Sequence, residues 1–159
     1  MSKIFYANNN GIKNERNVPD AIAQSDLVNG HLVVLGMDEK GNHAATLPAS
    51  EEECQGDIYF VWNSVITPEL DSDKDFVIKK GEFARLFHFM KDCPVYVSPD
   101  LFKDEATAVE VGKLIVPDSA NFGFVKVTDD ATGYKTVLKV KEVCASIQSK
   151  LYLCDVVSA

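Results

Sequence analysis

From Leu27 onward the chain alternates short apolar runs with turn chemistry, and no stretch sustains a 3.6-residue apolar period. Asn29-Gly30 sits between Leu27-Val28 and His31-Leu-Val-Val-Leu35, a hairpin or tight-turn signal. Asp38 to Gly41 is a second turn, and Ala44 to Leu47 is a short strand closed by Pro48. Glu51-Glu52-Glu53 reads as a polar loop before the aromatic run Asp57-Ile-Tyr-Phe-Val-Trp62. Further strands are expected at Phe76–Ile78, Val95–Val97, Val111–Val116 and Leu151–Val157. In Glu82–Phe89, alternation puts Phe83, Arg85, Phe87 and Phe89 on one face and Ala84, Leu86 and His88 on the other; periodicity also admits a helical turn there, and aromatic enrichment favours the strand. Phe122–Val127, a turn at Asp129–Gly133 and Thr136–Val143 form the clearest hairpin in the chain. Short helices fit only at 65–75 and 103–111. Eight to ten short strands with regular turns predict a mainly β fold: an antiparallel β-barrel or β-tulip-like domain, or a sandwich, over residues 25–159.

Residues 1–24 have a different texture and read as an extended N-terminal arm. Asn8-Asn9-Asn10-Gly11 is loop chemistry, yet Ile4, Phe5, Tyr6 and Ile12 are bulky for a solvated tail. Such a segment packs on its own domain, docks on something else, or frays.

The 159-residue length suits one core. The net charge of −8 falls in one place: residues 31–78 hold Lys40 and Lys74 against ten acids, while the flanking segments balance. A concentrated acidic face repels phosphate, so nucleic acid is not expected as a partner. No apolar run of membrane-spanning length and no signal-peptide h-region occurs, so neither membrane nor secretory placement is expected. Cys54, Cys93, Cys144 and Cys154 lack zinc-knuckle spacing and read as free, buried thiols, although Cys144 and Cys154 could face each other across a late hairpin.

Catalytic patterns are sparse. Asp71, Asp73, Asp75 and Glu82 stand at positions one, three, five and twelve of a calcium loop, but Phe76 occupies the position where the turn needs glycine. His31, His43 and His88 have no fixed-spacing acids, Cys93 beside Asp92 is an unsupported nucleophile, and no G-x-S-x-G or phosphate-binding glycine loop occurs. The expectation is a non-enzymatic protein without cofactor or metal.

The order of Leu27–Gly36, Thr46–Pro48, Asp57–Asn63, Phe76–Arg85, Val111–Leu114 and Lys139–Val143 resembles that of the capsid decoration (cement, or head-stabilisation) proteins of tailed bacteriophages. The resemblance covers roughly residues 25–157 and departs in the acidic 49–57 loop, the cysteines and the long 98–110 connection. It implies a virion protein, made in the host cytoplasm, that lies on the capsid surface and bridges subunits of the major capsid protein. Homo-oligomeric self-contacts on the shell belong to the same picture, with Ile4, Phe5, Tyr6 and Ile12 as arm anchors. Competing readings are a small-molecule or glycan-binding β-barrel module with Tyr59, Trp62 and Tyr96 lining its cleft, a tail or connector structural protein, or a cytoplasmic enzyme with dispersed residues.

Overall fold

A computed structural model describes residues 4–6, 20–63, 76–104, 106–145 and 150–159. The strands are β1 (Ile4–Tyr6), β2 (Ala21–Ala23), β3 (Leu32–Met37), β4 (His43–Thr46), β5 (Tyr59–Val61), β6 (Phe83–Ala84), β7 (Leu86–His88), β8 (Pro94–Val97), β9 (Leu114–Pro117), β10 (Val125–Thr128), β11 (Val137–Ala145) and β12 (Lys150–Ser158). One short helix, α1 (Glu51–Gln55), and a 3₁₀ turn at Pro99–Leu101 complete the described elements. The fold is mainly β, as the alternation and turn spacing predict.

Two six-stranded sheets share the work. The first runs β1-β8-β12-β11-β9-β10 and is antiparallel throughout; the second runs β6-β2-β4-β3-β5-β7, with β2 parallel to β4. Between the sheets lies one core: Val95, Val97, Leu138, Val140, Tyr152 and Cys154 from the first sheet meet Leu32, Phe60 and Phe87 from the second. The second sheet also curls around a core on its other face, built from Ala21, Ala23, Val33, Ala45, Val61, Ala84 and Leu86 and flanked by Leu27 and Ile78. Adjacent residues such as Leu32 and Val33, or Phe60 and Val61, therefore enter different cores. That is why these strands are apolar without interruption, where a half-exposed strand would alternate.

Two side-chain amides extend the second sheet's hydrogen bonding. Asn29 donates through Nδ2 to the Asn63 carbonyl (2.8 Å) and accepts from the Asn63 N–H (2.7 Å). Asn63 repeats the pattern one strand on: its Nδ2 donates to the Phe83 carbonyl and its Oδ1 accepts from the Arg85 N–H, both at 2.8 Å. The pair bridges the break between β6 and β7, and Asn29 is buried. Gly30 makes the turn possible, with φ of 90° and its N–H on the Val61 carbonyl.

Four expectations are corrected. Ala21–Ala23, placed in the arm, is a strand with both alanines buried, because β2 supplies the edge on which β6 pairs. The hairpin expected between Phe122–Val127 and Thr136–Val143 does not form: β10 pairs with β9, and β11 pairs with β9 and β12. Turn chemistry sets where a chain reverses, not which edge it returns to. No helix occupies the described part of 103–111, and 65–75 lies outside the described residues. A helix forms instead at Glu51–Gln55, where Ser50 accepts from the Glu53 N–H and the Glu53 carboxylate accepts from the Ala49 N–H (2.6 Å).

Two losses follow from these packings. Phe60 is buried between Phe87 and Phe89, with ring centroids 5.5 and 5.0 Å away, so Phe60→Ala is expected to cost about 3–5 kcal/mol in denaturant unfolding. Asn29→Ala strands the Asn63 N–H and carbonyl and is expected to cost about 1–3 kcal/mol by the same measurement.

Candidate functional site

The N-terminal segment returns to its own domain. Its strand β1 pairs antiparallel with β8, matching Ile4 to Val97, Phe5 to Tyr96 and Tyr6 to Val95. Val95 and Val97 are wholly buried, whereas Tyr96 is half-buried on the outer face of the sheet beside its β12 partner Leu153. β1 is thus the edge strand of the first sheet. Ile12 lies outside the described residues.

Of the calcium-loop candidates, Asp71, Asp73 and Asp75 also lie outside the described residues. Glu82 works as a turn residue: its carboxylate accepts from the Lys79 N–H (2.8 Å) and its carbonyl accepts from the Ala23 N–H (2.9 Å). Among the described residues no group of three or more His, Cys, Asp or Glu side chains is placed to hold a metal ion.

The histidines stand apart. His31 accepts from the Val28 N–H through Nδ1 and tilts against Phe124, His88 packs against Tyr59 at 4.8 Å, and His43 is exposed at the start of β4. The three aromatics suggested as a cleft lining also fall on different surfaces. Tyr59 packs against the second core, Trp62 against the first, and Tyr96 faces outward from the first sheet. They do not converge, because residues of one strand at odd spacing point to opposite faces.

Of the acids in residues 31–78, those described sit in the β3–β4 turn (Asp38, Glu39), on α1 (Glu51, Glu52, Glu53) and just before β5 (Asp57). Asn42 donates to Asp38 from its side chain and backbone and holds that carboxyl below its ordinary value, with the Lys40 N–H adding to it. Asp26 is lowered by the Lys80 N–H and then by the Lys79 ammonium. Asp57 pairs with Lys135 and raises the lysine's pKa, tying the chain after α1 to the loop before β11. Glu51, Glu52 and Glu53 fill the first turn of α1, where negative charge suits the helix dipole.

A concave surface lies elsewhere. A groove of about 680 Å³ crosses the exposed end of the second sheet, floored by Ile22, Gln24, Ala44 and Thr46 and bordered by the Asp38–Asn42 and Lys80–Gly81 turns. The sequence marks some of its residues as turn or strand but none as a binding residue. Small residues in register on neighbouring strands make the hollow, and that register is a property of the paired sheet.

All four cysteines are free. Cys54 and Cys154 are buried, as expected, but Cys93 and Cys144 are only half-buried. Cys144 and Cys154 do not face each other: Cys144 pairs with Leu151 and Cys154 with Val140.

No described helix is long and apolar enough to cross a membrane. In comparisons with known proteins, no family model, no curated protein and no solved structure matched the chain.

Burial pushes the Cys154 thiol up to about 12 and also raises Cys54. A thiol-reactive dye at pH 8 is therefore expected to label Cys93 and Cys144 rapidly, and Cys54 and Cys154 only on unfolding. The raised Cys154 value favours the protonated, folded form. Its contribution is whole below the unfolded thiol's value near 9.0 and fades as pH climbs toward about 12, so stability is expected to fall across that window.

Proposed function

We propose that this chain is a non-enzymatic structural protein of a tailed-bacteriophage virion, lying on the outside of the capsid and bridging major capsid protein subunits. The observation that carries the reading is the strand β1: a three-residue segment engages a sheet edge by backbone pairing, at a strand far along the chain. An Ile-Phe-Tyr strand able to complete β8 is equally able to add to an exposed edge of a neighbouring subunit, since main-chain hydrogen bonds supply the affinity in either case. Three residues of pairing are weak. On a shell that presents many sites side by side, a body contact plus an arm contact becomes strong through effective concentration.

The segments that carry the resemblance support the reading further, because they build the scaffold. Leu27–Gly36 forms the Asn29-Gly30 turn and β3, Asp57–Asn63 contains β5 and the amide bridge, and Phe76–Arg85 contains β6. The partner proposed is the major capsid protein, with self-contacts between copies on the shell and with neither nucleic acid nor membrane engaged. Placement is the capsid surface, after synthesis in the host cytoplasm, and no cofactor is required.

One observation favours a second reading, a binding module for a small molecule or glycan: the groove on the second sheet, with Gln24, Asn42, Lys40 and Lys80 among its lining residues. None of its described lining residues is an aromatic on which a sugar ring could stack, which places it behind the structural role.

Co-sedimentation with expanded, empty capsids tests the proposal, comparing the full chain with a deletion of residues 1–20, which stops short of β2. The full chain is expected to saturate at a fixed ratio to capsid subunits, and the deletion to weaken binding at least tenfold. Absence of binding by the full chain would overturn the reading; equal binding by both forms would remove the arm's part in it.

A further inference from the structure

Asn29-Gly30 carries a chemistry that its place in the turn does not use. In an unfolded chain, an asparagine followed by glycine is especially prone to lose its side-chain amide. Glycine has no side chain to shield its nitrogen and the most freedom to swing it toward the asparagine. The Gly30 nitrogen gives up its proton to hydroxide and attacks Asn29 Cγ. A bond forms between that nitrogen and Cγ, the Cγ–Nδ2 bond breaks, and Nδ2 leaves as ammonia. Water then opens the succinimide ring at either carbonyl and leaves aspartate or isoaspartate at position 29. Water is the sole co-reactant, and nothing is oxidised or reduced.

The folded turn occupies every group in that step. The His31 N–H closes it on the Val28 carbonyl (3.0 Å), and the Gly30 N–H is committed to the Val61 carbonyl (2.7 Å). Nδ2, the leaving group, donates to the Asn63 carbonyl at 2.8 Å, while Oδ1 accepts from the Asn63 N–H at 2.7 Å. Asn29 is only 5% exposed, which keeps hydroxide from the Gly30 proton. Turning Cγ onto the Gly30 nitrogen would break the bonds to Val61 and Asn63 together.

We infer that Asn29-Gly30 is a deamidation site of the unfolded chain alone, and that its product no longer reaches native stability. Aspartate at position 29 keeps an acceptor for the Asn63 N–H but has no donor for the Asn63 carbonyl. A carboxylate oxygen then faces a carbonyl oxygen in a buried place. Isoaspartate routes the main chain through Cγ, and the added methylene moves Gly30 away from the Val61 carbonyl. The loss reaches beyond the turn, because the Asn63 side chain joins β6 to β7 through the Phe83 carbonyl and the Arg85 N–H. Folded copies keep the amide bridge, and copies left unfolded lose it irreversibly. The inference concerns this turn and does not rest on the capsid reading.

Two parallel incubations at mildly alkaline pH test it, one in guanidinium chloride and one without, with the thiols kept reduced. Peptide mapping follows Asn29 alongside Asn10, which precedes Gly11 and serves as the reference for unfolded-chain chemistry. In denaturant both asparagines are expected to convert at similar rates. Without denaturant, Asn29 is expected to convert at least ~100-fold more slowly than in it, because the native rate is scaled by the fraction of turns that are open. After refolding, chains deamidated at position 29 are separated by their added negative charge. They are expected to unfold at a lower denaturant midpoint than unmodified chains from the same sample. Asn10→Gln is expected to show the same loss, which assigns it to position 29. Conversion of Asn29 in the folded chain as fast as in denaturant overturns the inference, and so does an unchanged midpoint in chains deamidated at position 29.

Discussion

Burial of the second sheet on both faces is the constraint from which the rest of the molecule follows. Leu32, Phe60 and Phe87 face the first core while Val33, Val61 and Leu86 face the second, so three neighbouring strands carry apolar residues at every described position that counts for packing. A slip of one residue in such a strand does not expose its side chains to water; it exchanges their cores. Register must then be fixed by shape and by hydrogen bonds, since polarity no longer distinguishes the two faces. The Asn29 and Asn63 amides serve that need, because each satisfies a defined pair of backbone groups at the sheet's irregular margin.

Much of this was legible in the residues. The Asn29-Gly30 turn and the Glu82–Phe89 alternation are local signals, and they match a turn and two strands that feed opposite cores. The short helix was also written locally, as Ser50 and Glu53 at capping-box spacing, but three consecutive glutamates looked like a solvated loop. Strand partnership was not legible. Nothing in Phe122–Val127 says that β9 lies on one side of it while β11 passes to the far edge of β9. Ala21–Ala23 gave no sign of being a strand, because alanine is a weak β-former and its place is set by β4 and β6 on either side.

The candidate surfaces divide in the same way. Ile4, Phe5 and Tyr6 stood out as too bulky for a tail, and they form a strand, though on their own sheet edge. The groove was hidden, because residues from distant segments become neighbours only through register. Phe83 had been read simply as one aromatic of an alternating run. Its exposure goes with its place on β6, at the end of the second sheet's strand order.

The pairing of β1 with β8 also bears on how the chain is made. A ribosome releases Ile4–Tyr6 early, but their partner Val95–Val97 emerges only after most of the second sheet's strands have been synthesised. At about 5–20 residues per second the first strand spends several seconds outside the ribosome with no edge of its own to join. During that interval Ile4–Tyr6 lack the β8 edge on which they pair, so this part of the first sheet closes late in synthesis.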